Sequence, residues 1–264
     1  MSDLTCTLIQ TNIFWENKDA NLEMFSRKIK SIGQKTELVI LPEMFSTGFS
    51  MQPEQLAETT DGSTMQWMRQ VAKEQRIVLA GSIIIKENNC FFNRLIWMLP
   101  TGEYGYYDKR HLFAFAGEDK HYTSGNGRLI TSVKGWKINL QICYDLRFPV
   151  WARQTPDNEH KFEYDLLINV ANWSESRRHT WETLLQARAI ENQCYAIGVN
   201  RVGVDDNNIV YSGDSCVINP MGEKLYTKNN AEDIFTITLK KETLNKVRDT
   251  FPFNRDADIF FITM

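Results

Sequence analysis

Short apolar runs alternate along this chain with amphipathic helical segments, and no repeat, low-complexity stretch or linker interrupts them. That pattern constrains the fold more than any single motif. An apolar strand needs cover on its faces, and helices between strands supply it. LTCTLIQTNI (4–13) alternates as a strand. NKDANLEMFSRKIKSIG then sets Leu22, Phe25, Ile29 and Ile32 on one helical face, with Gly33 as its stop. ELVILPEM is a buried strand ended by Pro42, and helical STMQWMRQVAKEQR leads into IVLAGSIII. CFFNRLIWMLP and EYGYYDK form a hairpin through the intervening Thr-Gly. Further on, FEYDLLINVANW is another buried strand. HTWETLLQARAIENQ is a helix that packs through Trp181, Leu184, Leu185, Ala187, Ala189 and Ile190. CYAIGVNRVG, SGDSCVINPMGEKLY and DIFTITL are strands, the second turned at NPMG, and KKETLNKVRDTF is a helix ended by Pro252. The pattern predicts one α/β domain over residues 1–264, with mixed sheets covered by helices and an aromatic tail from about 250.

At 264 residues with 42% hydrophobic content, the chain has enough apolar material for a multilayer core. Thirty basic against 33 acidic residues, without long runs of either sign, leave no electrostatic footprint for nucleic acid or an anionic membrane. The start, MSDLTCTLIQTNIFW, has no basic region ahead of an apolar one, and no apolar run reaches the roughly 18 residues of a membrane span. A cytoplasmic protein is expected. Five cysteines, without a CxxC pair, suit neither a zinc site nor a disulfide framework, so reduced packing thiols are the expectation for most of them. His111, His121, His160 and His179 form no HExxH or HxH pattern, so neither a metal nor a cofactor is expected.

In open α/β folds chemistry gathers beyond the carboxyl ends of strands. Glu43 follows ELVILP there, Lys109 follows EYGYYD and Cys143 follows KINLQI. Each has a plain alternative: a solvated loop acid, a surface charge and a core thiol. Together they complement one another. A glutamate can take a thiol proton, an ammonium favours thiolate and oxyanion, and the Tyr144 N–H just past the thiol is a second oxyanion donor. A Cys–His nucleophile is the competing mechanism, although no CGxCW or GxCxG setting surrounds Cys143.

At these residues the chain resembles the carbon-nitrogen hydrolase (nitrilase) superfamily. LPEMFSTGF, YYDKRHLF and ICYDLRFP carry the Glu–Lys–Cys residues of that superfamily in order, and YTSGNG, LLQARAIENQCYAIGVNRVG and YSGDSCVINPMGE extend the likeness. The resemblance implies a four-layer α-β-β-α sandwich, usually paired as a homodimer. The aromatic tail FPFNRDADIFFITM suits a segment that crosses the partner subunit, and equally the surface of an interaction module. It also implies a second glutamate seven residues before a glycine, which places that role on Glu118 ahead of Gly125. EMFSTGF, DKRHLF, CYDLRFPVWAR and ANW look most like the bacterial omega-amidases. Those enzymes release ammonia from small ω-amides of 2-oxo acids. A nitrilase, an N-carbamoyl amidase and a non-catalytic interaction module are the alternatives.

Recognition residues are less sharply marked. Trp173, after LLINVAN, is either a wall of the substrate pocket or a core aromatic, and Phe49 and Phe115 are further wall candidates. Arg147 is read as holding the turn by pairing with an acid such as Asp145, with a substrate carboxylate as the alternative. Arg110 and Arg201 carry the same ambiguity.

Overall fold

The computed structural model describes residues 2–154 and 162–262. Along the chain run β1 (Leu4–Gln10), α1 (Lys18–Lys30), β2 (Leu38–Ile40), α2 (Pro53–Leu56), α3 (Ser63–Gln75), β3 (Val78–Glu87), β4 (Cys90–Met98) and β5 (Tyr104–Asp108). β6 (Ile130–Val133), β7 (Trp136–Ile142), α4 (Pro149–Ala152), β8 (Leu166–Ala171), α5 (Arg178–Glu191) and β9 (Tyr195–Asn200) follow. The last elements are β10 (Val202–Val204), β11 (Val210–Ile218), β12 (Lys224–Asn229), β13 (Asp233–Leu239) and α6 (Lys241–Thr250).

Among the described residues the strands form two mixed sheets. One has six strands in the order β13-β1-β2-β3-β4-β5, with β1, β2 and β3 parallel. The other has seven, in the order β10-β11-β9-β8-β7-β6 with β12 beside β11, and β7, β8 and β9 parallel. The pleat sends alternate residues of each strand to opposite faces. Trp136, Ile138, Leu140 and Ile142 of β7 and Leu166, Ile168 and Val170 of β8 therefore join Leu4, Cys6 and Leu8 of β1 in one core between the sheets. Outside the first sheet, Phe25 and Ile29 of α1 and Met68 and Ala72 of α3 pack on Ile9, Val39 and Leu79. Outside the second, Trp181, Leu185 and Ala189 of α5 cover Ala171 and Ala196. The result is the four-layer α-β-β-α sandwich that the resemblance implied.

Local differences from the sequence reading have local causes. ITSV, which the sequence pattern does not mark as a strand, forms the short edge strand β6. Ile190 is 51% exposed rather than packed, because Trp181, Leu185 and Ala189 at i, i+4 and i+8 define the inward stripe of α5. Ile190 leans instead on the turn at Gly222. His160 lies outside the described residues. The tail presents Phe253, Ile259 and Phe261 to solvent. No helix among the described residues is long and apolar enough to cross a membrane.

Helix α5 descends onto β9 at Gly198, where a Cβ would meet Leu185 Cδ1 at 2.4 Å and Trp181 Cζ2 at 2.7 Å. The tryptophan ring cannot yield as a chain tip can, so Gly198→Ala overpacks this layer. We expect it to lower stability by about 1–3 kcal/mol, measured as a shifted urea midpoint with unchanged slope.

Candidate active site

Glu43 follows β2 through Leu41 and Pro42, where the backbone turns sharply: Met44 has φ +43° and its N–H donates to Ser82 Oγ at 2.8 Å. The turn drives the Glu43 side chain into the interior, where it is fully buried. Its Oε1 accepts from Lys109 Nζ at 3.0 Å and from Asn93 Nδ2 at 2.8 Å. Its Oε2 accepts from the Asn172 N–H at 2.7 Å, and Asn172 Nδ2 donates to the Glu43 carbonyl at 2.7 Å. A carboxylate held by donors from three segments has little freedom to turn.

Lys109 leaves the end of β5 and is equally buried. Its ammonium also donates to Glu118, at 3.0 Å to Oε1 and 2.8 Å to Oε2. Glu118 Oε2 accepts in addition from the Phe113 N–H at 2.6 Å, and Asn93 Nδ2 reaches Glu118 Oε1 at 3.3 Å. The segment YTSGNG closes behind the lysine: the Gly125 N–H donates to the Lys109 carbonyl at 2.9 Å. A Cβ on Gly125 would lie 2.1 Å from the Asp108 carbonyl oxygen, so this approach needs glycine. Burial works against the Lys109 ammonium, but Glu118 and Glu43 outweigh it and raise its pKa. Burial raises the Glu118 pKa, with Lys109 acting in the opposite sense.

Cys143 directly follows β7 with φ +45°, a left-handed conformation that costs a non-glycine residue energy, and opens a tight turn over Cys143–Arg147. Buried Asp145 fastens this turn. Its Oδ2 accepts from the Ile142 N–H at 3.0 Å and the Tyr107 hydroxyl at 2.8 Å. Its Oδ1 accepts from the His111 N–H at 2.9 Å and lies 2.8 Å from His111 Nδ1. At the other end Arg188 of α5 donates to the Leu146 carbonyl at 2.6 Å. The Cys143 thiol pKa is raised well above its ordinary value, first by burial, then by the charge of Glu43, with Lys109 in opposition. A neutral resting thiol follows, one that needs a base.

The structure thus brings Glu43, Lys109, Glu118 and Cys143 together. Cys143, Tyr144 and Trp173 line one cavity with Phe49, Phe113 and Tyr211. Besides lining this cavity, Trp173 packs against Trp181 at 5.5 Å between ring centroids. Phe115 does not line the cavity: it is 88% exposed, and Phe113 takes that place. The expected pairing of Arg147 with Asp145 is absent, because Tyr107, His111 and Ile142 occupy the acid. The Arg147 guanidinium instead lies 5.0 Å from the Trp173 ring centre and lines the cavity. Arg110 and Arg201 serve the backbone, donating to the Gly125 and Ile13 carbonyls. His111 is engaged by Asp145 and stacked on Phe148 at 3.7 Å, while His121 and His179 are exposed. The ionisable groups acting most strongly on the thiol are Glu43, Lys109 and Glu118.

Sequence reasoning missed Asn93, which bridges the two acids, and Asn172, which positions Glu43. The signal for the first was one amide inside the apolar strand CFFNRLIWM, and for the second the ANW that follows β8.

The family model of the carbon-nitrogen hydrolases matches residues 5–249. The chain belongs to that family. Among its relatives is the omega-amidase YafV of Escherichia coli K12, 41% identical over 98% of this chain and 99% of that protein. The 2-oxoglutaramate amidase of Bacillus subtilis is 28% identical over 94% of this chain and 95% of that one. A CN-hydrolase superfamily protein of Xanthomonas campestris, solved with an arsenic adduct in its active site, is 41% identical. It superposes with a TM-score of 0.97 over 100% of both chains. Yeast Nit3, at 23% identity and a TM-score of 0.82 over 95% of this chain and 94% of that one, shares the fold of this hydrolase.

Two outcomes follow from the burial pattern. Cys6, Cys194 and Cys216 are core thiols, the last two pushed up to about 12 by burial. Titration of the native hydrolase with a disulfide reagent should therefore leave these three unmodified until denaturant is added. The raised Glu118 pKa means that the folded state binds its proton more tightly than the unfolded chain does. Its contribution to stability is complete below the ordinary glutamate range and is lost as pH rises through the folded value. Glu118→Gln should accordingly show a smaller decline in stability than the parent between weakly acidic and neutral pH, read from denaturation midpoints across that range.

Proposed function

We propose that this hydrolase releases ammonia from ω-amides of small 2-oxo acids through a thioester on Cys143. One observation carries the reading: a neutral, half-buried thiol on the cavity wall beside the fully buried Glu43–Lys109–Glu118 cluster. The omega-amidase and 2-oxoglutaramate amidase relatives support the substrate class.

Glu43 takes the Cys143 proton as sulfur attacks the amide carbonyl carbon. The carbonyl oxygen becomes an oxyanion, stabilised by the Lys109 ammonium and the Tyr144 N–H. Glu43 passes the proton to the amide nitrogen, the C–N bond breaks and ammonia leaves. Asn172 Oδ1, a buried acceptor without a donor, lines the same cavity and suits an N–H of the departing amide. Glu43 then deprotonates a water that adds to the thioester; the C–S bond breaks and the proton returns to sulfur. Glu118 acts as a positioning residue for Lys109. The exposed Phe253, Ile259 and Phe261 of the tail support pairing with a second copy of the chain, which sedimentation of the intact protein and of a variant with these residues made polar would test.

Cys143→Ala should fold and release no ammonia from 2-oxoglutaramate, and retention of the parental rate would overturn the mechanism. Lys109→Ala removes an oxyanion donor worth about 3–4 kcal/mol, a loss of several hundredfold in kcat. It also leaves two buried carboxylates uncompensated, so its unfolding midpoint should fall. Ammonia release from 2-oxoglutaramate, an aliphatic nitrile and an N-carbamoyl amino acid, assayed in parallel, separates the amidase from its nitrilase and carbamoylase alternatives.

A further inference from the structure

We propose that the ring of Phe113 is a partition that sets the length of acyl chain this hydrolase accepts. The inference rests on the reading of Cys143 as the point of amide cleavage, and it names the residue that separates short amides from long ones.

Two hollows meet at this ring. The inner one is the cavity of about 60 Å³ lined by Cys143, Tyr144 and Asn172. The outer one is a groove of about 500 Å³ along Phe115, Asn208 and Val210. Phe113, Ala116, Ser174, Arg177 and Ile209 line both, so they form the wall between them. Phe113 carries the one aromatic ring in that wall, and its neighbours stand on either side of it. Its ring centre is 5.0 Å from that of Tyr144, which lines the cavity and not the groove. It is 5.7 Å from that of Phe115, which lines the groove and not the cavity.

The partition is fixed in place. The Phe113 N–H donates to Glu118 Oε2 at 2.6 Å, and its carbonyl accepts from the N–H groups of Ala116 at 2.9 Å and Glu118 at 3.3 Å. Moving this backbone aside would strip a donor from a fully buried carboxylate, which is costly. The ring is braced as well. The Arg177 guanidinium lies 5.1 Å from its centre, and Tyr144 is held in turn by Phe148, edge-on at 5.1 Å.

The reacting end of the substrate belongs on the inner side. Cys143, the Tyr144 N–H and Asn172 Oδ1 are the groups assigned to sulfur attack, the oxyanion and the departing nitrogen, and none of these residues lines the groove. The acyl chain therefore has the shared wall ahead of it. A chain that stops short of Phe113 fits, and one that reaches it meets a ring that cannot yield. Beyond the ring, Phe115, Ile209 and Val210 offer exposed apolar surface, so removing the ring would extend the cavity onto a face suited to methylenes.

The test measures kcat/KM for butanamide and octanamide, both neutral so that charge does not enter, in the parent, Phe113→Ala, Phe113→Leu and Phe115→Ala. One methylene in a pocket is worth about 10- to 200-fold in kcat/KM, so Phe113→Ala should raise the octanamide-to-butanamide ratio about tenfold or more. Phe113→Leu should give a smaller rise, and Phe115→Ala should keep the parental ratio. An unchanged ratio in both Phe113 variants, or an equal rise in Phe115→Ala, would overturn the partition. A second arm needs no amide cleavage: the rates at which N-methylmaleimide and N-benzylmaleimide label Cys143, followed by peptide mass. A benzyl-to-methyl ratio that rises in Phe113→Ala and Phe113→Leu supports the partition even where neither amide is cleaved, a result that would count against the cleavage reading alone. Equal acceleration of both reagents, or none, overturns it.

Discussion

The Lys109 ammonium between two buried carboxylates is the interaction on which the arrangement depends. A lone ammonium or a lone carboxylate at zero exposure would shed its charge, since burial penalises ions by several kcal/mol. Lys109, Glu43 and Glu118 hold one another against that penalty, and they come from three separated stretches of chain. Asn93 on β4 donates to both acids, so the centre of a strand rather than a loop fixes their spacing. The Phe113 N–H completes the Glu118 side and the Asn172 N–H the Glu43 side. The second of these bonds crosses from one sheet to the segment after β8 on the other, so the charge cluster also helps to register the two halves of the sandwich.

A second network holds the sulfur. Asp145 accepts from the last residue of β7, from Tyr107 on β5 and from His111, two residues beyond Lys109. Trp151 adds an indole N–H to the Tyr107 hydroxyl at 2.9 Å. The strained turn at Cys143 and the lysine segment are thus tied through the same acid, and movement of either one would have to break bonds to the other. The sulfur stays protonated in this setting because burial and Glu43 both resist a new negative charge there.

Much of the fold was legible because burial on both faces leaves near-continuous apolar runs, as in ELVIL and LLINVA, and because α1, α3 and α5 keep a helical apolar stripe. Glu43, Lys109 and Cys143 were legible as polar residues at strand ends, and Glu118 only through resemblance to a family. Asn93 was not, since one amide inside a strand has the same local appearance whether it bonds water or two acids. Arg147 was misread for a related reason. Its neighbour Asp145 is an obvious partner in sequence, and only the fold shows that Tyr107 and His111, distant along the chain, claim that acid first.

The charge cluster and the cavity wall stand on different kinds of support. Glu43, Lys109 and Cys143 emerge from strand ends and are locked by amides of the sheets, whereas Phe113, Arg177 and Tyr211 approach from turns and the rim of the second sheet. Loops tolerate replacement far better than packed strands do. Descent with an altered cavity can therefore proceed by exchanging the rim while the charge cluster beneath it stays as it is. A fold partitioned in this way can acquire new substrates without first rebuilding its reaction.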